Sequence, residues 1–197
     1  MEARLSPAAG ALLAALGGIV LAATPPPAAA DLQRALDAAR RHDFDTARRE
    51  ARSDAERGDP RAQALLANMY RRGYGVPVDY ARAAQWYRKA AEQGDALSQY
   101  NLGVMYRQGL GVTRDQELAS RWFHEAALQG FVPAQVNLGL RYARGEGLPK
   151  DPVRGYAWLL RAAGPGNSAA KERREALAQE LTPAQIRAGE QMSGSLH

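Results

Sequence analysis

The sequence predicts an all-α fold of stacked antiparallel helix pairs, and three observations carry that prediction. The first is recurrence. "RRGYGVPVD" at 71–79 returns as "RQGLGVTRD" at 107–115 and as "ARGEGLPKD" at 143–151, at a constant offset of 36 residues. The offset holds through Leu66, Leu102 and Leu138, through Tyr70, Tyr106 and Tyr142, and through Trp86, Trp122 and Trp158. Self-similarity at such a period marks a repeat architecture. The second is periodicity. Between Pro60 and Arg72 the apolar or aromatic positions are Ala62, Leu66, Met69 and Tyr70, the spacing of one buried helix face. The third is punctuation. Gly73, Gly109 and Gly145 stand where a helix can end in the left-handed conformation, and Asp79, Asp115 and Asp151 stand where a side chain can cap the next helix.

The elements follow in order. Residues 1–30 read as a secretory leader. Leu5 to Ala30 carries no charge, Pro25 to Pro27 break the apolar run, and Ala28-Ala29-Ala30 precedes Asp31, so cleavage is expected after Ala30 and no stable membrane insertion after it. The apolar stretch Ala8 to Ala23 is shorter than the roughly 20 residues a membrane span needs. Residues 31–59 read as a degenerate helix pair with a tight turn at His42-Asp43-Phe44-Asp45 and Glu50 in the tryptophan position. Three full units follow at 60–95, 96–131 and 132–167. In each, helix two is expected to turn Ala83, Trp86, Ala90 and Ala91, or their counterparts, to one side, with the tryptophan filling the space the alanines leave. Residues 168–197 read as capping helices. Asn167 or Ser168 starts one, Thr182-Pro183-Ala184-Gln185 starts another as a capping box, and the tail from Ser193 is expected to fray.

Composition narrows the function. The chain has no cysteine, which excludes disulfides and a lipid-bearing cysteine, and its net charge of +5 is unchanged by removal of the leader. That modest excess, almost all arginine, in an exported protein points to acidic protein surfaces and away from nucleic acid. His42, His124 and His197 make no ligand spacing, so no metal or other cofactor is expected, and His124 reads as a solvated helix position. There is no GxSxG elbow, and no serine has a base and an orienting acid nearby, so no catalytic residue is assigned. The glycine pair could be mistaken for a phosphate loop. A ligand loop is needed once, however, and three copies without a following GxxG favour a structural role.

The stretch "AQALLANMYRRGYGVPVDYARAAQWYRKAAEQGD" at 62–95, with its two successors, resembles the Sel1-like repeat, a longer-looped relative of the tetratricopeptide repeat. The residues that carry the resemblance are the joint L-G-x-x-Y, G-x-G-V, D-x-x-x-A-x-x-W and A-A-x-x-G pattern. Ala67 replaces the helix-one glycine that Gly103 and Gly139 retain, Leu148 replaces a valine, and Gly155 replaces the helix-two alanine at a propensity cost of up to about 1 kcal/mol. The resemblance implies a right-handed superhelical solenoid with an interaction groove and a non-enzymatic adaptor role in the cell envelope. By analogy with tetratricopeptide repeats, the groove positions are Arg61, Ala64, Asn68, Arg71 and Arg72 in unit one. Unit two supplies Leu97, Tyr100, Val104, Arg107 and Gln108; unit three supplies Pro133, Val136, Leu140, Ala143 and Arg144. Tyr100 and Val104 could equally pack against the next unit. The arginines suit a carboxylate, so the expected partner is a protein presenting an acidic segment. Two alternatives stay open at this point: an envelope hydrolase of penicillin-binding or β-lactamase type, as for some cysteine-rich relatives, and a cell-wall-binding module.

Overall fold

The computed structural model describes residues 27–164 and 166–196, with side chains from Asp31 onward. Among the described residues there are ten helices and no strand: α1 (Pro27–Arg40), α2 (Phe44–Glu56), α3 (Pro60–Arg72), α4 (Tyr80–Glu92), α5 (Ala96–Gln108), α6 (Gln116–Leu128), α7 (Val132–Arg144), α8 (Pro152–Ala162), α9 (Ser168–Ala178) and α10 (Pro183–Ser193). The leader's apolar stretch lies outside them. No described helix is long and apolar enough to cross a membrane. α1 runs through the expected cleavage point, and the fold's described side-chain contacts begin with Asp31, bound by Arg57, and Leu32, which is buried.

Each helix from α1 to α9 packs on its neighbours in sequence, while α10 folds back onto α8. The result is a helical repeat solenoid. The helix starts follow the sequence: Asp79, Asp115 and Asp151 accept from the backbone N–H three residues on, and Asp59 and Asp95 do the same for the first helices. At the corresponding position of unit three stands Phe131, which makes no side-chain cap; its ring packs against Tyr100 at 5.3 Å. Unit three gives up one capping bond and gains an inter-unit aromatic contact.

The loop glycines do two different jobs. The first of each pair closes helix one: Gly109 has φ 76° and its N–H bonds the Met105 carbonyl at 2.8 Å. The second meets the preceding unit. A Cβ on Gly111 would lie 2.2 Å from the carbonyl carbon and oxygen of Tyr80, the first residue of α4, and a Cβ on Gly147 would lie 2.2 Å from the oxygen of Gln116, the first residue of α6. Gly75 approaches Phe44, the first residue of α2, in the same way. Each loop therefore sits on the start of the previous unit's second helix, at a distance only glycine allows.

A second device was not apparent from the apolar pattern. Gln63, Gln99 and Gln135 are buried, 36 residues apart, and their side-chain N–H groups donate to the carbonyls of Ala55, Ala91 and Ala127 at 3.1, 3.1 and 3.2 Å. Gln93 and Gln129 donate in turn to Gln63 and Gln99, each at 2.8 Å. These bonds satisfy carbonyls at the end of one unit's second helix from the next unit's first helix, in the one region where no further helical turn can do so.

The structure corrects three expectations. Trp86 and Trp122 are only half-buried; the large side chains that fill the gap beside the alanines are Tyr87, Phe123 and Leu159, one residue later. In units one and two the residue after tryptophan faces inward in its place, whereas in unit three Trp158 is buried together with Leu159. The tail from Ser193, expected to stand free, makes two bonds: Ser195 N–H to the Met192 carbonyl, and the Leu196 carbonyl from Arg161 at 2.6 Å. Finally, Gly155 is more than a weak helix residue. A Cβ there would lie 2.7 Å from the Gly139 oxygen and 3.0 Å from the Ala143 nitrogen. The facing pair runs Ala67/Ala83, Gly103/Ala119, Gly139/Gly155 along the stack, and the last pair brings two backbones into direct contact. Gly155→Ala is therefore expected to lower the melting temperature despite alanine's better helix propensity; a rise would show that α7 and α8 separate freely.

Two buried charges interrupt the alanine and methionine registers. Asp54 stands 36 residues before Ala90 and is fully buried. One carboxylate oxygen pairs with Arg57; the other has no partner. Burial raises its pKa above the ordinary 3.8, against the pull of Arg57. A raised acid favours the folded state when protonated, so that contribution is present in acid and lost as pH rises through the folded pKa. Asp54→Ala restores the residue found in the other units and leaves Arg57 paired with Asp31 at 3.1 Å. We expect the variant to melt higher than the wild type, with a gap that widens as pH rises from the ordinary carboxyl value of 3.8 through the raised folded-state value; thermal melts across acidic to neutral pH check it. The second charge, Arg141, stands 36 residues after Met105 and is likewise buried.

Candidate functional site

The cavity that collects the largest share of the sequence-predicted positions lies on α3 between α1 and α5, with a volume of about 510 Å³. Helical spacing builds it. Arg61, Leu65, Asn68 and Arg72 recur at i, i+4, i+7 and i+11 and so form one stripe of α3, with Ala64 and Arg71 beside it. Leu36 of α1 closes one side, Leu97 and Asn101 of α5 the other, and Tyr87 of α4 reaches in from behind. Leu36, Ala64, Leu65 and Leu97 give the cavity an apolar floor, and three arginines and the Asp95 carboxylate stand around it.

Arg71 is the best-positioned of these. Its Nη2 donates to Asn68 Oδ1 at 3.2 Å, and its Nε is shielded from water without an acceptor. It also lies against the Tyr87 hydroxyl, whose pKa is raised by burial and held back by Arg71. A guanidinium fixed in this way loses little side-chain freedom when it meets an anion. Arg61 and Arg72 are exposed, and Arg61 leans on Asp59 at 3.5 Å.

The predicted row does not continue as one surface. Leu97 is 49% exposed at the edge of this cavity. Tyr100 and Val104 are half-buried against the core, Tyr100 tilted against Phe123 at 5.7 Å and Phe131 at 5.3 Å. Arg107 donates to Asn137 Oδ1 at 3.2 Å, and Gln108 is exposed. In unit three, Val136 and Leu140 pack with Ala143 against the cluster of Tyr156, Leu159 and Leu177. Arg144 lies 3.5 Å from Glu146 and lines a separate cavity of about 240 Å³ with Leu140 and residues of α9. Pro133 is exposed.

Sequence reasoning missed Leu36, Leu65, Tyr87, Asp95 and Asn101. Leu65 and Asn101 share the offset of 36 and could have been found from it; Leu36 lies on α1, outside the strict repeat, and carried no such signal. His124 is half-buried, its ring edge-on to Trp158 at 6.1 Å, so the expected solvated position is partly a packing one. Among the described residues no group of three His, Asp or Glu side chains is placed to hold a metal ion.

The Sel1 repeat profile matches residues 60–95, 96–131 and 132–164, more than half of the chain. This chain belongs to the Sel1-repeat family. Similar solved structures agree. One is c5321, a protective antigen of uropathogenic Escherichia coli described as displaying an SLR fold, with 34% identity over 77% of this chain and 32% of that one, and a TM-score of 0.71. Another is a Sel1 repeat protein from Oxalobacter formigenes, with 31% identity over 71% of this chain and 57% of that one, and a TM-score of 0.68. The chain thus spans between a third and three-fifths of the length of those proteins. Among curated proteins none matches the sequence. Sel1-repeat proteins generally mediate protein–protein interaction and are typically scaffolds without a catalytic site.

Proposed function

We propose that this Sel1-repeat chain is a non-enzymatic adaptor of the cell envelope, which seats a segment of a protein partner in the cavity between α1, α3 and α5. The observation that carries the reading is Arg71: a cation bonded to Asn68 and lying beside Tyr87, next to the apolar side chains of Leu36, Leu65 and Leu97. That combination suits a segment presenting an apolar side chain beside a carboxylate. The apolar leader supports export, and the docking of Asp31 and Leu32 supports a mature chain that starts near Asp31.

The test is paired capture from envelope extract with the mature chain and with an Arg71→Glu/Arg72→Glu variant, followed by direct titration of whatever the variant fails to retain. Selective loss, confirmed by titration, supports the cavity; retention of the same protein by both places the site elsewhere. Amino-terminal sequencing of the exported chain should begin at Asp31, and an intact leader would overturn the export reading.

A further inference from the structure

The second helices carry a groove of their own, and the three units treat it differently. In unit three His124, Tyr142, Arg154 and Trp158 line a cavity of about 270 Å³, and the chain's own Met192, Ser195 and Leu196 form another of its walls. Arg161 holds the Leu196 carbonyl at 2.6 Å, and Leu196 packs into the cluster that contains Trp158. Subtracting 72 from these numbers gives Arg52, Tyr70, Arg82 and Trp86, with Lys89 in the place of Arg161. Those residues line a cavity of about 330 Å³ that no segment of the described chain fills. In unit two the same register is closed: Leu118 replaces Arg82, Glu125 replaces Lys89, and Arg88 bonds the Tyr106 hydroxyl at 2.5 Å.

The unit-one cavity is also the most cationic. Arg48, Arg52, Arg82 and Lys89 line it, and no carboxylate does. Lys89 lies over the Trp86 ring at 4.2 Å, and Arg82 lies 5.6 Å from the Tyr70 ring centre. Three of the cations touch acids at its edge: Arg52 with Glu56 at 2.8 Å, Arg82 with Asp79 at 3.2 Å and Arg48 with Asp45 at 3.8 Å. Such exposed pairs are weak and exchange readily for a better partner. Arg48 Nε, in addition, is shielded from solvent and has no acceptor. This cavity shares no lining residue with the one proposed above.

We propose that the α2/α3/α4 cavity is a second docking site, which takes a short, carboxylate-rich segment of a partner protein on the positions that in unit three meet the end of α10 and the turn after it. The unit-three groove supplies the mode: a main-chain carbonyl on the helix-two cation and an apolar side chain against the tryptophan. Arg48 and Arg52, which replace Ser120 and His124, supply the selectivity for carboxylates.

The test uses the full mature chain and a fluorescein-labelled peptide, Gly-Glu-Glu-Leu-Glu-Glu-Gly, read by anisotropy. Binding should weaken by about tenfold or more in Arg52→Gln/Lys89→Gln, the size of one charge-assisted hydrogen bond, with the melting temperature unchanged. It should be unaffected by Arg71→Glu/Arg72→Glu, fall as salt rises from about 50 to about 300 mM, and be absent for the peptide with Gln at every Glu. Equal binding by Arg52→Gln/Lys89→Gln, or loss in Arg71→Glu/Arg72→Glu, overturns the second site. Inorganic pyrophosphate that binds the same residues in preference to the peptide also overturns it, and assigns the cavity to a small polyanion. Loss in Arg71→Glu/Arg72→Glu alone would leave the α1/α3/α5 cavity standing as the binding site.

Discussion

Gly111→Ala is expected to be among the most damaging single-methyl changes in the chain, lowering stability by more than about 4 kcal/mol and the melting temperature by about 10 °C or more. Two effects add. At φ 67° an alanine takes on a left-handed backbone that costs about 1–2 kcal/mol. The new Cβ would also stand 2.2 Å from the Tyr80 carbonyl and 2.5 Å from the Ala81 nitrogen, atoms of a helix start that cannot swing away as a side chain could. Relief requires the loop of unit two to lift off α4. Gly94→Ala is the control: its φ is 90°, but no atom lies within 4 Å of the added Cβ. It should lose only the backbone part, about 5 °C or less. Equal losses in the two variants would mean that the loop contact contributes nothing to stacking.

Arg141→Ala is the second large effect, an expected loss of about 3–5 kcal/mol. Arg141 is 2% exposed at a position where units one and two carry the buried Met69 and Met105. Its Nε donates to Ser120 Oγ at 2.6 Å and its Nη2 to the Gln116 carbonyl at 2.7 Å, both on α6 of the preceding unit. Nη1 makes no hydrogen bond and lies 3.7 Å from Glu146. Burial pulls its pKa below the ordinary value, with Glu146 acting the other way. Alanine removes both the volume and the donors. Methionine keeps the volume, and Ser120→Ala then matches the Met105/Ala84 pair of the unit before. Buried charge networks are often replaced without loss by apolar residues of similar size. Arg141→Met/Ser120→Ala should therefore melt within about 3 °C of the wild type, while Arg141→Ala falls by about 10 °C. A double variant as unstable as the alanine would show that the charge itself holds units two and three together.

Much of the fold was legible in the sequence because its determinants repeat. The offset of 36 residues located each helix pair, and the glycine and aspartate positions gave the helix ends to within a residue or two. Legibility failed where the determinant is a distance between chains of atoms instead of a residue type. Nothing in the string shows that Gly111 faces Tyr80, or that Gly139 and Gly155 face one another. The rotation of helix two was misjudged because tryptophan is the larger apolar residue, whereas units one and two bury Tyr87 and Phe123 and leave Trp86 and Trp122 half in water; in unit three Trp158 and Leu159 are both buried. The site was legible only in part. The α3 stripe of Arg61, Asn68, Arg71 and Arg72 does share one cavity, but extending the analogy to every unit ignored what the units do to one another: Tyr100 is drawn in by Phe123 and Phe131, and Val136 and Leu140 by Leu177.

The proposed adaptor role requires successive units to hold a fixed trough over α3 for a foreign segment. Residue-resolved nuclear magnetic resonance of the mature chain, titrated with the captured partner's segment, addresses it most directly. The account predicts shifts concentrated at Arg61, Leu65, Asn68, Arg71, Leu97 and Asn101, with the α7 and α8 signals still. Shifts that leave the α3 signals in place and gather elsewhere would contradict it.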